Sequence, residues 1–141
     1  MKRQLASSFV GFVLLAIVLA GCSTARNDLG TSDNSCYLAL PSASNAVGGH
    51  GRLLGVDLLT STALRQQAPR LFTALATQRV SPKRVCVIAF VGHFNKTMVS
   101  DPLGRSSGRV AVVVLAIPSN QLLGTVIFTR APLQFGHTHI G

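Results

Sequence analysis

The chain has 141 residues and a formal net charge of +9, from 13 Lys and Arg against 4 Asp and Glu. This length leaves room for one domain with a modest core and excludes a second domain. The positive charge favours polyanionic partners, such as phospholipid headgroups, anionic polymers or nucleic acid.

The N-terminal segment has the layout of a secretory signal. Met1-Lys2-Arg3 is a short cationic start, and an apolar run from Phe9 to Ala20 follows it. The run is too short for a membrane-spanning helix, which needs about 20 apolar residues. Because Leu19-Ala20-Gly21-Cys22 follows directly, residues 1–22 resemble a bacterial lipoprotein signal with its lipobox.

This resemblance implies that the thiol of Cys22 receives a diacylglycerol and that the leader is cut off before it. The new amino terminus is often acylated as well in that family, which would give palmitate-like chains on the mature protein. Two or three chains, at roughly 0.8 kcal/mol per buried methylene, hold a protein firmly on a bilayer. The resemblance therefore implies an extracytoplasmic protein anchored in the cell membrane or outer membrane. The alternative is an ordinary secretory signal in which Cys22 is incidental.

Three segments follow from this interpretation. Residues 1–21 are a signal peptide, and residues 22–35 are a lipidated, flexible tether because Ser, Thr, Asn, Asp and Gly leave little apolar surface to bury. Residues 36–141 form a small domain. Its 10 Lys and Arg minus 2 carboxylates, Asp57 and Asp101, give it a charge of +8.

The remaining cysteines predict one disulfide. With Cys22 lipidated, Cys36 and Cys86 form an even pair in an oxidising compartment. Closing a loop of this length would stabilise the fold by about 4 kcal/mol. The alternative is two buried free thiols, because both cysteines lie in apolar, strand-like runs.

The first half of the domain predicts two strands and a helix. Cys36–Leu40 is a candidate strand ended by Pro41, and a loop then runs to Gly51. Gly48-Gly49-His50-Gly51 is interpreted as a plain turn rather than a phosphate loop, because a short strand, Arg52–Leu58, and not a helix, follows it.

The helix is predicted from spacing. Thr60 or Ser61 can cap it, Pro69 should kink it or break it into two short helices, and it should end near Arg79. Its apolar face recurs at intervals of three and four residues: Leu64, Ala68, Leu71, Phe72 and Leu75.

Two uninterrupted apolar runs, Val85–Val91 and Val110–Ile117, predict central strands. Gly92–Gly108 between them is expected to be a long polar loop, and Leu122–Thr129 to return as a hairpin partner. The predicted fold class is α+β, a four- or five-stranded, mainly antiparallel sheet with one Pro-kinked helix on one face. The other face would then be covered by a second copy of the chain or by its loops.

Catalytic patterns are weak. Gly104-Arg105-Ser106-Ser107-Gly108 matches the G-x-S-x-G pattern of hydrolases, but a turn precedes it, a strand follows it and no acid lies downstream. It is therefore predicted to be a flexible loop. Cys86 and His93 would point to opposite faces of one strand, which disfavours a thiol–histidine pair.

The sequence predicts a cell-envelope lipoprotein that is not an enzyme and needs no cofactor. Its domain is expected to bind or scaffold an envelope protein or an anionic polymer, with a homodimer as a further expectation. Nucleic acid is disfavoured, because the chain is exported and has no row of aromatic side chains among its charges. The alternative is a metal-binding protein that uses four histidines, His50, His93, His137 and His139.

Overall fold

Residues 34–76 and 82–133 are described by the computed structural model, and they form a five-stranded mixed sheet with helices on both faces. In chain order the elements are α1 Asn34–Leu38, α2 Leu40–Ala46, β1 Arg52–Thr60, α3 Ser61–Gln67, α4 Pro69–Leu75, β2 Arg84–Asn95, β3 Pro102–Gly104, β4 Ser107–Ile117 and β5 Gln121–Phe128. The α+β class is confirmed, whereas the single kinked helix is not.

The strand order is β1-β2-β4-β5-β3, so the two apolar runs lie inside the sheet as predicted. Neighbouring strands are antiparallel except β3, which is parallel to β5. The predicted loop Gly92–Gly108 is wrong in extent, because β2 continues to Asn95 and β4 already begins at Ser107. A bulge between Val91 and Phe94 allows this extension, since it turns Phe94 into the core.

Both faces of the sheet are covered. Ile88 and Val113 pack with α1 and α2, whereas Val87 and Val112 pack with α3 and α4. Continuous apolar runs are typical of strands that are buried on both sides. A single helix on one face is therefore not confirmed: among the described residues the chain's own helices α1 and α2 cover the second face, and the motive for expecting a homodimer disappears.

The second helix layer arises where a strand was expected. Residues Cys36–Leu40 belong to α1 and to the start of α2, because Ala39, Ala43 and Val47 recur every four residues and are fully buried. Pro41 lies in the first turn of α2, where its missing N–H has no helical partner to lose. Helix α1 begins at Asn34, inside the predicted tether 22–35.

The predicted break at Pro69 is confirmed. Helix α3 ends at Gln67 and α4 starts at Pro69, with Ala68 between them in a non-helical conformation. The side chain of Thr60 accepts a hydrogen bond from the Ala63 N–H at 3.1 Å, as expected of the N-cap residue. The predicted end near Arg79 lies outside the described residues.

Replacing Thr125 by valine is expected to stabilise the domain by about 1 kcal/mol. Thr125 is fully buried on β5, and its Oγ1 has no hydrogen-bond partner in the described part of the chain. A buried, unpartnered hydroxyl costs about 1–3 kcal/mol, and valine has nearly the same shape. Urea unfolding should show a higher midpoint for Thr125→Val. The control Thr73→Val, which removes an exposed hydroxyl that donates to the Pro69 carbonyl at 2.8 Å, should show no gain. A destabilised Thr125→Val protein would contradict the assignment.

Candidate functional site

One end of the sheet carries an exposed cation from every strand. Arg52 begins β1, Lys96 follows β2, Arg105 follows β3, Arg109 lies near the start of β4, and Arg130 lies just beyond β5. These five residues are named the basic end. They are spread between positions 52 and 130 without regular spacing, which is why sequence reasoning missed them. The only available signal was their position next to the ends of strands.

The strand register brings these cations together. Arg52 is opposite Val91, Val91 is opposite Val110, and Val110 is opposite Phe128. Strand β3 runs parallel to β5 with Gly104 opposite Ile127, so Arg105 also reaches this end. At a spacing of about 4.8 Å between strands, five strands spread their cations over roughly 20 Å.

The loops that carry Lys96 and Arg105 are held by hydrogen bonds. The Lys96 N–H donates to the carbonyl of Ser106 at 3.1 Å, which joins the end of β2 to the turn between β3 and β4. Asn95 Oδ1 accepts from the Thr97 N–H at 3.0 Å. The Ser100 N–H donates to the Ala46 carbonyl at 2.7 Å and fixes the same loop to α2. The backbone beside both cations is thus constrained.

The two carboxylates among the described residues lie elsewhere. Asp57 is opposite Val87 within β1, and the Asp101 carbonyl accepts from the Thr125 N–H at 3.0 Å near the middle of β5. The basic end therefore presents positive charge without an intervening acidic residue from the described chain. Such an arrangement attracts polyanions, because cations of one sign add their fields.

A groove of about 490 Å³ opens beside Arg109. Its polar groups belong to His93, Asn95, Ser107 and Arg109, and its apolar lining to Phe94 and Met98, with Gly108 between them. Gly108 is required sterically, since a Cβ there would clash with the Phe128 carbonyl oxygen. A guanidinium with neighbouring donors is suited to a phosphate or carboxylate group.

A second groove, of about 380 Å³, lies at the same end on the other face of the sheet. It is lined by Arg70 and Arg130 with Thr129, over apolar contributions from Ala68, Pro69, Phe128, Ala131 and Pro132. The break between α3 and α4 places Arg70 here. The basic end is thus flanked by two shallow grooves, each with an arginine and a hydroxyl.

The G-x-S-x-G segment forms the turn between β3 and β4. Ser106 lies in this turn, and β4 begins at the next residue, so the strand–turn–helix context of a nucleophilic serine is not present here. The glycine at position 108 is explained by the clash that a Cβ there would make with the Phe128 carbonyl oxygen, as described for the first groove. Gly104 has a positive φ of 77°, which explains glycine at the other end of the pattern.

Two of the four predicted histidine ligands lie near the basic end. His50 and His93 are exposed and adjoin Gly51 and Gly92, which touch: a Cβ on Gly92 would be 3.1 Å from the Gly51 Cα. His137 and His139 lie outside the described residues. No group of three or more potential ligands occurs in residues 34–76 and 82–133, so the metal site stays a prediction. Gly48, Gly49 and Gly51 have positive φ and form the expected turn, which leads into β1.

The cysteines are placed as predicted. The Sγ atoms of Cys36 and Cys86 lie at bonding distance, 1.97 Å, with the Cα atoms 5.4 Å apart, so the pair is capable of a disulfide. Both are fully buried, and they join α1 to β2. Cys86 therefore faces Cys36 rather than the exposed His93, and no thiol–histidine pair forms. Cys22 lies outside the described residues.

Comparison with known proteins gives no relative. The chain matches no protein-family model, no curated protein and no solved structure. Within the part of the chain that the structure describes, none of the helices has the length and apolarity to cross a membrane.

Proposed function

We propose that this chain is a lipid-anchored lipoprotein of the cell envelope whose domain binds an anionic polymer through the basic end, without catalysing a reaction. The observation that carries this proposal is the exposed cation at the same end of each of the five strands. The lipobox at Leu19–Cys22 supports the anchor and the extracytoplasmic location.

An extended partner fits this surface better than a compact one. The cations span roughly 20 Å across the sheet, whereas a single small anion would contact one groove only. Four of the five are arginines, whose planar guanidinium groups pair with phosphate or carboxylate in a bidentate manner. The two grooves can accept side groups of such a chain. A protein partner with a row of acidic residues would satisfy the same charges.

The fold supplies a rigid platform for this contact. The inner strands β2, β4 and β5 are buried on both faces, and the loops at Lys96 and Arg105 are joined by a backbone hydrogen bond. A preorganised surface loses less conformational entropy when it binds. Affinity should then depend on charge and salt rather than on a folding step.

Removing three charges from the basic end is expected to weaken polymer binding about 100-fold. Each cation near an anionic surface contributes about 1 kcal/mol, or roughly fivefold. The triple variant Lys96→Gln, Arg105→Gln, Arg109→Gln should therefore bind inorganic polyphosphate far more weakly at moderate ionic strength. Its dependence of log Kd on log salt should also be shallower by about one per removed cation.

The matched control removes the same number of charges elsewhere. Arg65, Lys83 and Arg84 are exposed and lie outside the basic end; the Arg65 guanidinium stacks 4.8 Å from the centre of the Phe72 ring. A variant with all three changed to Gln should bind nearly as well as the wild type. Equal losses in both triple variants would mean that net charge alone attracts the polymer, and would refute a site at the basic end.

A further inference from the structure

The chain enters the domain at the end opposite to the basic end. Helix α1 begins at Asn34, and its Cys36 lies 5.4 Å from Cys86 between Cα atoms. Cys86 is two residues from the start of β2 at Arg84. The remainder of β2, from Cys86 to Asn95, extends roughly 30 Å towards the basic end at about 3.3 Å per residue.

This entrance combines exposed apolar and basic side chains. Tyr37 is 47% and Leu38 72% exposed, and both follow Cys36 directly. Lys83 and Arg84, also exposed, lie just before Cys86 in sequence. The pairing of Cys36 with Cys86 keeps these two segments together. Tyr37, Leu38, Lys83 and Arg84 are named the anchor-side patch.

We infer that the anchor-side patch rests on the surface of an anionic phospholipid bilayer. Tyrosine is favoured at the membrane–water interface, where its ring is apolar and its hydroxyl is hydrated. Leucine can enter the acyl boundary, and lysine and arginine are attracted by acidic headgroups. Helix α1 presents two exposed apolar side chains, Tyr37 and Leu38, and the segment paired with it carries two cations. This combination fits a bilayer surface, where acyl chains lie below charged headgroups.

Chain length supports this orientation. This step rests on the lipid anchor of the proposed function, since residues 22–33 would join the lipidated Cys22 to Asn34. On the general scaling for linkers, a chain of that length spans about 20 Å on average and at most about 40 Å when fully extended. That span suffices for the anchor-side patch to reach the bilayer. The basic end lies roughly 30 Å farther along β2, so bringing it to the bilayer would require this connection to stretch well beyond its average span, which costs conformational entropy. The basic end then points away from the membrane, where a polymer can reach it.

The test is hydrogen–deuterium exchange on the mature lipidated protein in vesicles. Flotation first shows whether the protein is anchored; a failure there refutes the anchor of the proposed function, and the docking inference falls with it. The first amides of α1 have no helical partner and should exchange quickly unless a surface covers them. On vesicles of phosphatidylglycerol and phosphatidylethanolamine, amides 34–40 and 83–86 should exchange at least about fivefold more slowly than on phosphatidylcholine.

A pair of leucine variants provides the control. Leu38→Asp should abolish this protection, whereas Leu54→Asp, at an exposed leucine (37%) near the other end of the sheet, should leave it unchanged. Unchanged slow exchange across β4 shows that each variant is folded. Protection at amides 95–109, no protection in anchored protein, or equal effects of the two variants would each overturn the inference. None of these three results would bear on polyphosphate binding, which is measured separately.

Discussion

Replacing both Cys36 and Cys86 by alanine is expected to lower the free energy of unfolding by about 4 kcal/mol, roughly a thousandfold in the unfolding equilibrium. A disulfide restricts the unfolded chain, and the separation of 50 residues closes a long loop. The cysteine pair also joins α1 to β2 over one of the two core layers. A loss of this size is a large part of the stability of a small domain.

Urea unfolding with and without reductant measures this contribution. When dithiothreitol is added, the wild type should lose most of its advantage in free energy of unfolding over the double-alanine variant. The free energy of unfolding of the variant should not change. This comparison separates the covalent link from the packing of the two sulfur atoms. A wild type that is insensitive to reductant and has two titratable thiols after isolation from the envelope would show that the cysteines are merely packed.

Replacing Cys22 by serine is expected to abolish incorporation of a fatty-acid probe. Lipoprotein processing requires the thiol as acceptor of the diacylglycerol, and a serine hydroxyl does not replace it. The protein should also leave the membrane fraction, because two or three acyl chains provide an attachment that the described domain does not offer through a spanning helix. Metabolic labelling followed by gel fluorescence measures both effects.

The double-alanine variant at Cys36 and Cys86 is the matched control for labelling. It retains Cys22 and should incorporate the probe as the wild type does, provided that degradation is corrected by immunoblot. Equal labelling of the wild type and Cys22→Ser would contradict lipidation at this position. The chain would then be assigned an ordinary secretory signal.

The two expected results concern two separate features of the chain, the proposed lipid anchor at Cys22 and the Cys36–Cys86 pair. In the proposed function, the lipid anchor sets where the domain works, and the Cys36–Cys86 pair attaches the first described helix to the sheet. Under that proposal, the two together determine which end of the domain lies near the bilayer. The basic end lies at the other end of β2, so the proposed anchor and the proposed polymer site would occupy different surfaces.

Local sequence patterns were enough to predict several elements of the fold. The uninterrupted apolar runs predicted the central strands β2 and β4, because only strands buried on both faces tolerate such sequences. Pro69 predicted the break between α3 and α4, since proline lacks the amide that a continuous helix needs. Thr60 predicted the N-cap of α3, because a threonine hydroxyl can accept a hydrogen bond from a backbone N–H in the first turn of a helix.

Other elements depended on distant contacts. Cys36–Leu40 resembles a strand in composition, yet the sheet offers a face for Ala39 and Ala43 to cover, and that burial selects the helix. Strand β3 has three residues, too few for a recognisable pattern, and exists because β5 provides an edge on which to pair.

The sequence by itself determined the cysteine pair, the central strands and the proline break, because each of these depends on neighbouring residues or on a simple count, whereas the membrane address stays a prediction. Only the tertiary structure decided the second helix layer and the basic end. Arg52, Lys96, Arg105, Arg109 and Arg130 form one surface solely because the strand order and register align their strand ends. Register is set by burial across the whole sheet, and no local segment of the chain contains that information.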